Sequence, residues 1–181
     1  MKHAKRPSHV SDHDLQRIIA HTAADSSLQD LHEAIVIIAD TGLRKGELAG
    51  LRWSDVDLDQ RSITVPISGR RSSIRHVFFP EQTHALLLAR RQRNPDEEFV
   101  CGPITRVQRL GWQLRKVSRA LGFECRFQLL RRTFATRLCN SGADILSVCF
   151  LLGVNCPSEW DIIERPSEAK PKLATERLGE V

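Results

Sequence analysis

The 181-residue sequence predicts an α+β fold, mainly helical with one small β-hairpin, built as a single compact domain. Three observations carry this expectation. Apolar residues recur at helical spacing through most of the chain, in runs closed by Gly42, Gly122 and Gly142. Two short runs rich in β-branched and aromatic residues, Ser62-Ile63-Thr64-Val65 and Ile74-Arg75-His76-Val77-Phe78-Phe79, flank a turn-like segment. Hydrophobic residues make up 41% of the chain, enough for one core, whereas two domains of this length would be cramped.

Ser11 fits an N-cap with Asp14 in the first turn, and Leu15, Ile18 and Ile19 supply the apolar stripe of a first helix running to about Ala23. Asp25-Ser26-Ser27 breaks it. Leu28, Leu31, Ile35 and Ile38 continue on a second helix, which Gly42 closes from the C′ position. Arg44 opens a short helix that buries Leu48 and Leu51 and ends near Trp53, with residues 54–57 leading out. The two β-rich runs then pair around Ser68-Gly69-Arg70-Arg71-Ser72-Ser73, an arginine-tipped turn, and Pro80 ends the hairpin. Helices follow over 81–93, 105–121, 129–141 and 145–152. Beyond Gly153 the pattern collapses, as Pro157, Pro166 and Pro171 interrupt a charged stretch without apolar period. The expected organisation is a flexible 1–10, a folded 11–153 and a divergent, poorly ordered tail over 154–181.

Charge is segregated along the chain. Residues 1–60 carry 7 Lys and Arg against 10 Asp and Glu, residues 61–140 carry 16 against 5, and residues 141–181 carry 4 against 7. A basic, arginine-dominated block inside a folded domain is the footprint of a surface that follows a nucleic-acid backbone, the bland alternative being a solvated basic face. No stretch approaches the roughly 18–20 apolar residues of a membrane span, and the basic N-terminus is not followed by a signal-type apolar core, so no membrane is expected and the chain is placed in the cytoplasm. Five cysteines without a C-x-x-C pair, and seven scattered histidines, indicate neither a disulfide framework nor a metal site.

Two arginine-centred segments stand out: Thr41-Gly42-Leu43-Arg44-Lys45-Gly46-Glu47 and Leu130-Arg131-Arg132-Thr133-Phe134-Ala135-Thr136. Planar guanidinium forks on rigid helices bind the charge that develops on a phosphate in transfer chemistry. Glu47 stands one turn from Arg44 and can orient its guanidinium, although the pair taken alone serves equally as an ordinary i,i+3 surface ion pair. Phe134 and Leu138 share a helical face with Leu130 and belong to the core, which puts Arg131 on the opposite, basic side.

The first segment, continued through Leu48, Leu51, Trp53, Asp55, Val56 and Asp57, resembles the T-G-L-R-x-x-E-L and L-x-W-x-D-[VI]-D box of the tyrosine recombinases, the phage integrase family. The second resembles that family's H-x-L-R-[HR]-[ST]-F-A-T box, with Gln128 at the histidine position, and the likeness covers roughly residues 7–153. The resemblance implies an integrase-type catalytic domain whose relatives cut DNA by tyrosine attack on a phosphodiester, forming a 3′-phosphotyrosine without metal or nucleotide cofactor. It also implies roles: Arg44 and Arg131 as the phosphate clamp, Glu47 orienting Arg44, and Arg70, Arg71, Arg75 and Arg132 contacting the DNA backbone.

The chain departs from the pattern where proton transfer and nucleophilic attack belong. Gln128 donates a hydrogen bond but does not exchange a proton near neutral pH as imidazole does. Val154 follows Leu151-Leu152-Gly153 where the family carries histidine or tryptophan. The family's hairpin lysine has no counterpart, Lys116 being the only lysine between positions 46 and 169, and Arg70 and Arg71 hold charge without a transferable proton. The expected tyrosine position falls near Ile163, yet the sequence contains no tyrosine, and Cys156 and Ser158 there have no identifiable base. The expectation is a DNA-binding protein of the site-specific recombination and integration class, of mobile-element type, truncated or frame-shifted after Gly153 and inactive alone. Alternatives are completion in trans by the tyrosine of an intact recombinase or a second copy, and a basic adaptor that binds protein or RNA.

Overall fold

A computed structural model describes residues 8–67 and 73–154. Helices α1 (Asp12–Ala23), α2 (Gln29–Thr41) and α3 (Lys45–Gly50) precede strands β1 (Val56–Asp57), β2 (Ser62–Pro66) and β3 (Ile74–Phe78). Helices α4 (Glu81–Arg93), α5 (Ile104–Ala120), α6 (Phe127–Asn140) and α7 (Ile145–Leu152) complete the order. The α+β, mainly helical class is as predicted. The sheet is larger by one strand: β1 pairs antiparallel with β2 through Val56↔Ile63 and Asp57↔Ser62, where only a lead-out was expected. A strand of two residues is too short to show a period. The break at Asp25 is a single 3₁₀ turn, Ser26–Leu28, and α5 and α6 begin slightly earlier than expected.

Helix α2 is the axis because its sequence is apolar almost all round, as a helix surrounded by others must be. Leu31, Ala34, Ile35, Ile37 and Ile38 are fully buried, and the helix packs against α1, α4, α5 and α6. In β3 the side chains alternate: Arg75 and Val77 face the core, while Ile74, His76 and Phe78 face outward. The segment before α1 is pinned to α6, with Val10 N–H donating to Thr133 Oγ1 at 2.9 Å and the same hydroxyl donating to Val10 O at 3.1 Å. A second apolar cluster, Phe134, Ala135, Val148 and Leu152, joins α6 to α7.

Gly42 is the pivot between α2 and α3. It adopts φ +65°, its N–H donates to Ile38 O at 2.9 Å, and a Cβ there would lie 2.8 Å from Phe134 Cε1. Glycine is required twice over, by backbone handedness and by the ring that fills its missing side chain.

Opposite this pivot, α4 is fastened to α2 by a buried ion network. Arg90 and Glu33 are each 1% exposed and paired, Arg90 Nη1 also donates to Asp30 Oδ1 at 2.9 Å, and Arg90 Nε donates to Val100 O. Arg93 reaches the other oxygen of Glu33. Among the described residues no helix is long and apolar enough to cross a membrane, and no group of three or more His, Cys, Asp or Glu is arranged to hold a metal ion. The expected flexible start and divergent tail fall, apart from residues 8–10 and Val154, outside the described residues.

Removing one partner of a buried pair strands the other, so Arg90→Met is expected to destabilise the chain by about 3–5 kcal/mol in denaturant unfolding. The double variant Glu33→Met/Arg90→Met should recover part of that loss, and a double variant no better than the single would contradict the pairing. Gly42→Ala is expected to cost at least about 1–2 kcal/mol from handedness alone, and a thermal melt unchanged by that substitution would show that the pivot tolerates a side chain.

Candidate functional site

Arg44 and Arg131 lie 87 positions apart in the chain and line one cavity of about 230 Å³, together with Leu43, Lys45, Phe127, Gln128 and Arg132. The local sequence explains how they arrive there. Gly42 turns the chain sharply out of α2, so that Arg44 becomes the N-cap of α3 and Lys45 its first residue. Phe127 and Gln128 form the first turn of α6, and Arg131 and Arg132 follow one turn later.

The predicted residues do not all stand as expected. Glu47 accepts the backbone N–H of Arg44 at 2.8 Å through Oε2, while its contact with the Arg44 guanidinium is a 4.0 Å ion pair through Oε1. It therefore fixes the entry to α3 more firmly than the side chain of Arg44. Arg131 does not project from an open basic face; it is 5% exposed and its guanidinium is turned inward. Its Nη1 donates to Gly42 O at 2.5 Å and its Nη2 to Leu152 O at 2.7 Å. Arg44 Nη2 donates to Gly153 O at 3.4 Å. Arg132 sits at the cavity wall and donates to Ser8 O at 3.4 Å. Gln128 is exposed at the rim.

Arg75 departs furthest from expectation. It was placed among the DNA backbone contacts, yet its side chain is 0% exposed and forms an ion pair with Glu47, Nη2 to Oε2 at 2.7 Å. Strand alternation is the reason, since Arg75 shares the inward face of β3 with Val77. Arg70 and Arg71 lie outside the described residues, so the expected arginine tip has no structural account. The same holds for Cys156, Ser158 and the neighbourhood of Ile163.

Lys45 was missed by sequence reasoning, which sought a lysine only beyond position 46; its place directly after Arg44 was the available signal. The outer face of α5 was also missed. Arg109, Lys116 and Arg119 are exposed there, and Trp112 is 68% exposed with the Arg115 guanidinium 4.2 Å from its ring centroid. This helix abuts the cavity: Gly111 lies against Phe127 and Lys45, with a Cβ at that position 3.5 Å from the Phe127 ring. Elsewhere, burial pushes the thiols of Cys101 and Cys125 up to about 12, so both stay protonated and unreactive near neutral pH.

Comparison with known proteins shows the family and the fold. The model of the Phage integrase family matches residues 9–155. The tyrosine recombinase XerC of Bacillus pumilus is 31% identical over 166 residues, covering 81% of this chain and 53% of its own length. The chain thus spans about half the length of the curated relatives it matches. Its fold superposes on the crystal structure of XerA recombinase with a TM-score of 0.78 at 23% identity, covering 96% of this chain and 66% of that one. It superposes equally on the Tn1549 transposon integrase in complex with transposon right end DNA, TM-score 0.78 at 19% identity, over 99% of this chain and 69% of that one. From its two arginine boxes, its helical core and small antiparallel sheet, and these matches, the chain belongs to the phage integrase family, the tyrosine recombinases, and has the fold of their catalytic domain.

Proposed function

We propose that the chain binds DNA through the Arg44–Arg131 cavity, as a recombinase-type phosphate clamp, and that the chain alone does not cut the strand it holds. The observation that carries this reading is the convergence of those two arginines, remote in sequence, on one cavity with Lys45, Gln128 and Arg132. A phosphate oxygen entering there competes with the carbonyls of Gly42, Leu152 and Gly153 for guanidinium donors, and it competes well because it carries a full negative charge where a carbonyl offers only a dipole. The basic outer face of α5, with Trp112 at its centre, offers further backbone contacts beside the clamp. The solved Tn1549 integrase that shares the fold is bound to DNA, which is consistent with the same use here.

The missing half of the chemistry supports the inactive reading. The sequence contains no tyrosine to form a covalent intermediate, and Gln128 stands where imidazole would move a proton. Electrostatic stabilisation of a phosphate needs neither group. A clamp of this kind therefore binds without committing the strand to cleavage.

Binding to a short mixed-sequence duplex should weaken steeply with salt, and Arg44→Ala should lower affinity for all sequences alike while reducing the salt slope by about one. Salt-indifferent binding, or a slope unchanged in that variant, would favour an adaptor for protein or RNA instead. On a nicked suicide duplex the chain alone should yield no covalent protein–DNA adduct in a denaturing gel. An adduct that a mixture with an intact recombinase forms on this duplex, that neither protein forms alone, and that is lost when the recombinase's nucleophile is replaced, would identify a component completed in trans.

A further inference from the structure

Arg75 is one of the largest fully buried side chains in the molecule, and it is not a wall of the cavity. It stands behind the wall. Its Nη2 donates to Glu47 Oε2 at 2.7 Å, and that same oxygen accepts the backbone N–H of Arg44 at 2.8 Å. Its Nε donates to Leu151 O at 2.8 Å, and Nη1 lies against Gly153, where a Cβ would come within 2.7 Å. Leu151 O is the first of three successive carbonyls held by three different arginines. Leu152 O accepts from Arg131 at 2.7 Å, and Gly153 O accepts from Arg44 at 3.4 Å.

One guanidinium thus touches both frames that set the clamp: the N-cap of α3, which carries Arg44, and the end of α7, which Arg44 and Arg131 share. Only a planar fork with donors on separate nitrogens can span a carboxylate and a carbonyl at once; an ammonium concentrates its charge at one point. We propose that Arg75 is the positioning residue of the arginine pair, holding Glu47 and the turn at residues 151–153 so that Arg44 and Arg131 keep the spacing a phosphate requires. This inference rests on the reading of the cavity as a phosphate site. Arg75 itself meets no ligand, since it is sealed from solvent on the inward face of β3.

A positioning role and a merely structural one differ in how Arg75 couples to Arg44. The full chain and its variants Arg75→Lys, Arg44→Ala and the double variant are titrated against a short mixed-sequence DNA duplex at several salt concentrations, with a thermal melt of each. Arg75→Lys should weaken binding about tenfold, within the range of coupling inside one hydrogen-bond network, and should lower the salt slope as Arg44→Ala does. In the Arg44→Ala background it should weaken binding by less than about twofold. Native affinity and slope in Arg75→Lys, or an equal loss in both backgrounds, would overturn the proposal and leave Arg75 a staple of the fold. If Arg75→Lys does not fold at the assay temperature, Glu47→Gln replaces it with the same expectations, because it removes the carboxylate through which Arg75 reaches Arg44. An Arg44→Ala variant with native affinity and slope would sink the phosphate-site reading and this inference together, whereas a normal Arg44→Ala loss with additive effects would sink this inference alone.

Discussion

A guanidinium taken out of water must find acceptors, and this one requirement shapes the centre of the molecule. Arg44, Arg75 and Arg131 meet where α3, β3, α6 and α7 converge, with Glu47 as the carboxylate partner of Arg44 and Arg75. The remaining acceptors are backbone carbonyls at helix ends: Gly42 O after α2, and Leu151 O, Leu152 O and Gly153 O at the end of α7. Helix C-termini leave carbonyls unpaired and carry the negative end of the dipole, so they suit cations. Both helices end in a left-handed glycine, with φ +65° at Gly42 and +61° at Gly153, which turns the chain away and leaves those oxygens for the arginines. Packing and charge therefore impose the same arrangement.

The two buried arginine clusters illustrate different uses of charge. Arg90 fastens α4 to α2 among Asp30, Glu33 and Glu97, and because Arg93 and Arg106 share Glu33 and Glu97 the cluster sets three positive charges against three negative ones. At the cavity one carboxylate serves Arg44 and Arg75, with Arg131, Arg132 and Lys45 close by. The first cluster is closed and stabilises the fold. The second keeps a surplus of positive charge at an opening in the surface, the condition for attracting a polyanion. Glu47 Oε1 and Arg75 Nη1 have no hydrogen-bond partner among the described residues, a cost absent from the guanidinium of Arg90. Glu97 Oε2 beside Arg90 is likewise without a hydrogen-bond partner, so the two clusters differ in their balance of charge rather than in complete satisfaction.

The helices and the hairpin were legible because period and punctuation agree: apolar stripes closed by glycine, and β-branched runs closed by Pro80. The two arginine boxes that meet at the cavity were legible as motifs, because motif spacing survives without knowledge of the fold. Three features were not. Strand β1 has two residues and no period of its own. Arg75 was expected among the DNA contacts, although its alternation with Val77 places it inside, and exposed Ile74 and Phe78 obscure that alternation. Arg131 was assigned to an open basic face because apolar residues at helical spacing suggest one buried side and one wet side, whereas α7 covers the other side too. For β1 and Arg131 a tertiary neighbour decided what local pattern could not, whereas for Arg75 the local alternation was present but masked.

The proposed clamp and a nucleophile belong to different physical terms, which is why one can act without the other. Holding a phosphate requires fixed positive charge and rigid donors, and guanidinium supplies both at any workable pH because it does not give up its proton. Breaking a phosphodiester also requires a nucleophile and groups that release and recover protons. Gln128 cannot do this, and the buried thiols of Cys101 and Cys125, pushed up to about 12, cannot stand in. A site rich in the first term and poor in the second binds the ground state with contacts that would otherwise stabilise a transition state. On the reading proposed above, the cavity holds DNA and a group supplied from elsewhere is needed to cut it.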